Sequence, residues 1–375
     1  MDKKLKYYEL MEDLHHKIIE GEIRPGEKLP SENKLSVEYG VSRQTVRKAL
    51  QILQNDGYIY AEHGRGTFCS EMLRHTRTSK NIAVVTTYLS DYIFPRIVQG
   101  IDRVFTENGY SILLKNTRNS RSLEAKCLEE LLQKDIEGLI IEPSRSQISC
   151  RHINLYEMLD AYKIPYVFIQ GVHAQMKDRP QILLNDCRGG YLATKHLISL
   201  GHRRIIGIFK SDDTQGQQRH KGYVQALQEA EIPYDPDLVV WFYTEDRKTH
   251  PYEKMRQLAE ERKNQPFDAV VAYNDQVAIE VIRALGDMGL RVPEDVSVTG
   301  YDDSYLAATC KVPLTTVAHP QERLGEMAAE LLLRIIREGN LKEEETHILM
   351  EPELVVREST REFSDGRFGK VSEEK

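Results

Sequence analysis

The sequence predicts an α/β protein in two unequal parts: a small α+β head of three helices and a hairpin, then a larger core of parallel sheets in two lobes. Three observations lead there. Helical periodicity, with capping serines at Ser31 and Ser42 and a glycine-rich hairpin tip at 63–66, fills the first 68 residues. From residue 81 onward, short β-branched runs alternate with helical patterns, the rhythm of parallel strands covered on both faces. That rhythm runs for well over 200 residues, more than one open sheet usually holds, so the core divides into two lobes.

Within the head, Leu5, Tyr8, Leu10, Met11, Leu14, Ile18 and Ile19 recur at helical spacing, and Gly21 stops the run. Arg24-Pro25-Gly26-Glu27 reads as a turn. Ser31 then caps a short helix through Leu35, Val37 and Tyr39, which Gly40-Val41 breaks. Ser42 caps the next helix, whose inner face is Val46, Ala49, Leu50 and Leu53 and whose stop is Gly57. Residues 58–62 and 67–68 alternate like strands around His63-Gly64-Arg65-Gly66.

Helix, short helix, three-residue turn, second helix and hairpin compose a winged helix-turn-helix. In that motif the second helix lies in the major groove with its first turn toward base edges. Here that turn carries Arg43, Gln44 and Arg47, opposite Val46 and Leu50. Arginine matches the O6/N7 edge of guanine and glutamine the N6/N7 edge of adenine. Ser42 and Thr45 suit phosphates, and so does the helix N-terminus. His63 and Arg65, between glycines, fit a wing that reaches the backbone or the minor groove. An isolated Arg-x-x-x-Arg is usually a solvated face; the surrounding pattern decides for DNA.

Residues 69–80 are polar and lack apolar periodicity, as an interdomain linker does. Strands follow at 82–87, 111–116, 138–142, 165–170, 204–209, 268–271 and 296–301. Helices are expected at 95–108, 122–134, 156–163, 189–200, 222–231 and 276–288. Ligands of open parallel sheets sit beyond the carboxyl ends of the strands. Those positions nominate 88–94, 142–145, Gln170, 211–219, 274–275 and 302–303. Carboxylate, amide and guanidinium groups pair vicinal hydroxyls while aromatic faces cover ring C–H groups, so the set suits a small polyhydroxylated ligand. Residues 361–375 read as a polar tail.

Composition bounds the function. With 40% hydrophobic and 29% charged residues the chain is globular, and no stretch approaches the ~20 apolar residues of a membrane span. A basic start (Met1 to Lys6) without an apolar segment behind it predicts a cytoplasmic protein. Cys69, Cys127, Cys150, Cys187 and Cys310 form no CxxC pair and no Cys/His cluster, so neither disulfide nor metal is expected. The net charge of −7 is uneven: residues 1–80 hold 14 Lys and Arg against 12 Asp and Glu. That asymmetry agrees with a nucleic-acid partner at the N-terminal end. No GxSxG, P-loop, GxGxxG after a strand, or HExxH appears, so no enzyme, catalytic residue or cofactor is expected.

The stretch from Tyr8-x-Leu10 through P-G-E-K-L-P-S-E-N-K-L, Y-G-V-S-R-Q-T-V-R-K-A-L and H-G-R-G-T-F resembles the GntR-family DNA-binding domain over residues 5–68. That resemblance implies DNA contacts at Glu32, Arg43, Gln44, Thr45, Arg47 and the tip around His63-Gly64, with Ser31, Ser42, Arg65 and Gly66 beside them. G-L-I-I-E-P, Q-R-H-K-G-Y, F-D-A-V-V-A-Y-N-D, V-T-G-Y-D-D-S and L-T-T-V are similar to the effector core of LacI/GalR repressors over residues 81–360. The likeness implies a periplasmic-binding-protein-like, dimeric core with ligand positions at Arg219, Asn274 and Asp302. It points further to Phe242 beside Trp241, Tyr92, Phe94, Arg145 and Gln170. The chain departs from that family at its front, where the family's own helix-turn-helix and hinge helix are missing. A GntR-type head on a LacI-type core resembles the arabinose-responsive repressors of low-GC Gram-positive bacteria, implying L-arabinose as effector and a pseudo-palindromic operator as target. Residue chemistry alone leaves another sugar, a sugar phosphate or a nucleoside open.

Overall fold

The computed structural model describes residues 6–19, 21–70, 79–89, 92–261, 267–339 and 341–363. The head consists of α1 (Lys6–Ile19), α2 (Glu32–Glu38), α3 (Arg43–Asn55) and the antiparallel pair β1 (Ile59–Glu62) and β2 (Gly66–Cys69). Both expected caps form: Ser31 Oγ accepts from Lys34 N at 3.3 Å and Ser42 Oγ from Thr45 N at 3.1 Å. Leu10, Leu14, Leu35, Val46, Ala49 and Leu53 make the head's core, as the helical spacing requires.

The first lobe begins with β3 (Asn81–Thr86), α4 (Phe94–Glu107), β4 (Ser111–Asn116), α5 (Arg121–Leu132), β5 (Gly138–Ile141), α6 (Ile153–Ala161), β6 (Tyr166–Ile169) and β7 (Gln181–Leu184). The chain then crosses to the second lobe. There lie α7 (Asp186–Ser199), β8 (Ile205–Lys210), α8 (Thr214–Glu229), β9 (Val239–Phe242), α9 (His250–Glu261), β10 (Ala269–Ala272), α10 (Asp275–Asp287), β11 (Ser297–Asp302), α11 (Tyr305–Thr309) and β12 (Thr315–Ala318). A second crossing returns α12 (Gln321–Glu338), α13 (Glu343–Thr346) and β13 (His347–Met350) to the first lobe, and a third places β14 (Glu353–Val355) in the second. The first sheet runs β13-β7-β6-β5-β3-β4, all parallel. The second runs β14-β12-β11-β10-β8-β9, parallel except for the edge strand β14.

The expected helix at 222–231 starts eight residues earlier, as α8 from Thr214. Gly216 and Gly222, both within α8, are places of close approach. A Cβ on Gly222 would stand 1.9 Å from Cys187 O, and one on Gly216 2.0 Å from Lys210 O. The tail expected from 361 also starts later. Phe363 N donates to Leu200 O at 2.8 Å and its ring packs on His202, so 361–363 still lie against the second lobe; 364–375 fall outside the described residues. Of the expected linker, Cys69 and Ser70 pair with Glu27 and Tyr58 of the head, Lys80 N donates to Glu137 at 2.8 Å in the first lobe, and 71–78 lie outside the described residues.

The head sits on the first lobe at α6. Tyr162 Oη donates to Gly57 O at 3.3 Å, and Met158 packs beneath Gly57. Gly57 has φ +79, a conformation glycine takes without penalty. Tyr58 is buried there, and the head's apolar core runs into that of the first lobe.

Candidate functional site

On the head, Arg43, Gln44 and Arg47 project from the solvent face of α3 while Val46 and Leu50 are buried beneath them. Arg47 is 70% exposed, and Glu32 accepts from its Nε at 2.9 Å. The carboxylate from α2 thus ties the arginine down on the exposed face of α3. Thr45 Oγ1 lies 2.8 Å from the Ser42 cap, exposed at the first turn of α3. At the wing tip, Gly64 and Gly66 have φ of +75 and +119; His63 stands exposed before them and Arg65 between them, paired to Glu62. A side chain on Gly66 would meet Lys28 Cε at 2.7 Å, so the tip is held against the segment before α2.

In the core, a cleft of about 590 Å³ opens between the lobes. Tyr92, Phe94, Gln170, Arg219, Phe242, Asn274 and Asp302 all line it. Arg219 comes from α8 and is the centre of its floor. Its Nε donates to Asp186 at 2.8 Å, one terminal nitrogen donates to Tyr273 O at 2.6 Å, and the other faces Asp302 at 3.6 Å. The guanidinium also lies over the Tyr301 ring at 3.5 Å. Burial alone would lower its pKa; Asp186 and then Asp302 outweigh burial and hold it charged. Burial raises Asp302, with Arg219 opposing.

Backbone strain collects at the same place. Tyr92, Gln170 and Asp302 have φ of 71, 63 and 99, left-handed conformations that non-glycine residues adopt at a cost of about 1–3 kcal/mol each. Gln170 Nε2 is buried without a protein acceptor among the described residues, a donor available to a ligand hydroxyl. Asn274 uses its Oδ1 to cap α10 by accepting from Val277 N at 3.0 Å, which leaves the amide nitrogen for the cleft. Phe242 and Tyr273 meet edge to face at 5.5 Å and form an apolar wall.

Arg145 does not line the cleft. Its guanidinium is engaged across the seam between lobes, with Glu245 and with Asp212 at 3.7 Å, so it is a rim clamp. Asn119 donating to Thr244 at 2.7 Å and Ser146 accepting from Thr214 N at 2.9 Å join the lobes beside it. Tyr92 Oη donates to Tyr301 O at 2.9 Å and accepts from Asp275 N at 3.1 Å, linking the lobes on the other side. Trp241 packs against Phe209 and His220, away from the lining.

Four lining or supporting groups escaped the sequence reading. Lys210, the last residue of β8, is buried and donates to Asp213 at 2.9 Å. Tyr273 donates to the same Asp213 at 2.7 Å. Asp186 looks like any first-turn acid of α7 until the fold sets it against Arg219. Thr87 donates to Glu142 through both its N (2.9 Å) and its Oγ1 (2.6 Å), and burial pushes Glu142 up to about 7 despite those bonds.

Residues 6–69 match the model of bacterial regulatory proteins of the gntR family, and residues 194–360 match that of a periplasmic binding protein-like domain. The chain is 40% identical over 366 residues to the arabinose metabolism transcriptional repressor of Halalkalibacterium halodurans, covering 95% of this chain and 97% of that one. To the protein of the same name from Geobacillus stearothermophilus it is 39% identical over 359 residues, 96% and 98% of the two chains. This chain belongs to the family of arabinose metabolism transcriptional repressors. Among solved structures, the complex of the transcriptional regulator CelR with cellobiose superposes with a TM-score of 0.67 at 26% identity, over 88% of this repressor-family chain and all of that one. The named relatives are transcriptional regulators. No helix among the described residues is long and apolar enough to cross a membrane.

Proposed function

We propose that this repressor is a cytoplasmic homodimer that holds a pseudo-palindromic operator through two heads and releases it when L-arabinose enters the cleft. The carrying observation is the cleft floor: a buried Arg219–Asp302 pair, the free amide of Gln170 and the amide nitrogen of Asn274 converge on one volume walled by Phe242, Tyr92 and Phe94. That set pairs vicinal hydroxyls in two planes and covers a ring face. The buried cations Lys210 and Arg219 are each already matched by carboxylates, which favours an uncharged sugar over a sugar phosphate. On the DNA side, Arg43, Gln44 and Arg47 supply base readout, while Ser31, Ser42, Thr45 and the tip from His63 to Gly66 supply backbone contacts. The seat of Gly57 on Tyr162 and Met158 gives the head a direct contact with the first lobe.

Fluorescence anisotropy with a labelled operator tests the reading. L-arabinose is expected to weaken operator binding about 5- to 150-fold, the range of an allosteric coupling of about 1–3 kcal/mol. Operator affinity unchanged at saturating L-arabinose ends the L-arabinose assignment. A response to arabinose phosphate or a nucleoside instead would reassign the ligand.

A further inference from the structure

The loops at the cleft end of the first lobe gather four metal-donor side chains that lie far apart in sequence. Glu124 comes from α5, Cys150 and His152 from the segment before α6, and His173 from the segment after β6. One donor atom from each of Cys150, His152 and His173 lies within 4.8 Å of the others, and all three residues are buried. Glu124 Oε1, fully buried, is 2.9 Å from His152 Nε2 and 3.2 Å from His173 Nε2.

We propose that Glu124, Cys150, His152 and His173 form a zinc(II) site. The donor set of one thiolate, two imidazoles and one carboxylate is one that tetrahedral zinc takes, and bonds of about 2.0–2.3 Å put such ligands about 3.3–3.8 Å apart. The two Glu124–imidazole separations, 2.9 and 3.2 Å, lie just under that spacing, and the donors of Cys150, His152 and His173 lie within 4.8 Å of one another. Charge agrees. Thiolate and carboxylate together neutralise a divalent cation, and two neutral imidazoles complete the shell, leaving a buried site with no net charge. A buried hydrogen-bond network of Glu124 with the two imidazoles and the Cys150 thiol is the competing account, and it leaves one ring nitrogen over. His173 Nδ1 is buried without a hydrogen-bond partner among the described residues.

Outer groups hold the donors in place, as they do around metals. The Gln175 amide grips the Cys150 backbone twice, accepting from its N at 3.0 Å and donating to its O at 3.1 Å. Tyr156 Oη donates to Glu124 Oε1 at 2.7 Å, Ser144 N donates to the other oxygen, and the Tyr156 and Phe168 rings wall the imidazoles. The site would staple α5 to the segments that carry Arg145, Ser146 and Gln170, so the ion's place is the wall of the cleft. The proposal does not depend on which sugar the cleft binds.

The test is titration of the full, chelator-stripped chain with cobalt(II), followed by displacement with zinc(II). One equivalent of cobalt is expected to give the visible bands of a tetrahedral ion and a near-ultraviolet sulfur-to-cobalt charge-transfer band, both abolished by zinc. Cys150→Ser should lose the charge-transfer band, His173→Gln should weaken zinc binding at least about tenfold, and Cys127→Ser should change neither. An octahedral spectrum, no charge-transfer band in the unmodified chain, or a band that survives Cys150→Ser overturns the site. The first two readings need no variant, so a substitution that fails to fold leaves the test decided.

Discussion

Replacing Asp302 with asparagine separates the charge of the cleft floor from its shape. Asp302 ends β11 at φ 99, where asparagine is among the few side chains tolerated, so the backbone keeps its path. Its carbonyl stays fixed by Gln321 Nε2 at 2.8 Å. Arg219 keeps Asp186 at 2.8 Å and Tyr273 O at 2.6 Å, and so remains charged and in place. What disappears is a carboxylate acceptor for a sugar hydroxyl. A hydrogen bond to a charged group contributes about 1.5–3 kcal/mol. At about 1.4 kcal/mol per factor of ten, L-arabinose affinity should fall about 10- to 150-fold. Titration calorimetry on the full chain measures that loss, and operator anisotropy without sugar should stay within about threefold of the parent. A sugar affinity that drops by less than threefold refutes the assignment of Asp302. Equal losses of sugar and operator binding would trace instead to a damaged fold.

Three further outcomes follow from the same geometry. Arg43→Ala, at an exposed position on α3 with no packing role, should cost operator binding about 1–3 kcal/mol in anisotropy and leave calorimetric sugar affinity unchanged; equal operator affinity would remove Arg43 from the interface. Glu142→Gln should change how stability depends on pH. Burial raises the folded pKa from 4.5 to about 7, so between those values the folded chain keeps a proton the unfolded chain has released. Stability from this group therefore falls as pH rises through that window, by on the order of 3 kcal/mol in full. The melting-temperature gap between variant and parent should widen in the variant's favour from pH 5 to pH 7 and then level off; a gap that is flat across that range contradicts the burial argument. Tyr162→Phe combined with Met158→Ala should leave both ligands bound with near-parental affinity yet shrink the effect of sugar on operator binding; an undiminished response would place the signal path elsewhere.

Local physics made some of this legible in sequence. Ser31 and Ser42 were readable because a cap needs only its own first turn, and the wing tip because Gly64 and Gly66 mark positive φ. The cleft was readable through topology: strand ends converge whatever the side chains, so Asn274 and Asp302 fell into place. Other groups depended on partners the chain reaches only by folding. Arg145 follows β5 and resembles a ligand residue, but Glu245 and Asp212 of the other lobe claim it. Lys210 and Tyr273 fall just past the expected strands, and Asp186 just before the expected helix at 189–200. Gly216 and Gly222 show nothing locally of the close approaches they make, Gly216 to the end of β8 and Gly222 to α7. The return of α12 and β13 to the first lobe has no local signature at all, since it is fixed by the packing of α12 on α4 and β5. Nor could spacing show the Glu124, Cys150, His152 and His173 cluster, whose members approach only when α5, β5 and β6 stand side by side.

The size of the coupling narrows the route it can take from cleft to DNA. About 1–3 kcal/mol equals one or two side-chain contacts, not the repacking of a domain. The head meets the first lobe at the buried Tyr58, where the two apolar cores join, and two of the lobe's partners there are Tyr162, through a hydrogen bond at 3.3 Å, and Met158, under a glycine that has no room for a side chain. Both partners belong to α6 or the residue after it. The segment leading into α6 starts at Glu142 on the cleft wall, passes through Arg145 and Ser146 at the seam with the second lobe, and runs by Cys150 and His152. The segment thus joins the seam at Arg145 and Ser146 to α6, on which the head stands, and it is the route we propose for the signal. That route is short, because the helix that carries the head begins ten residues or so after the cleft wall ends.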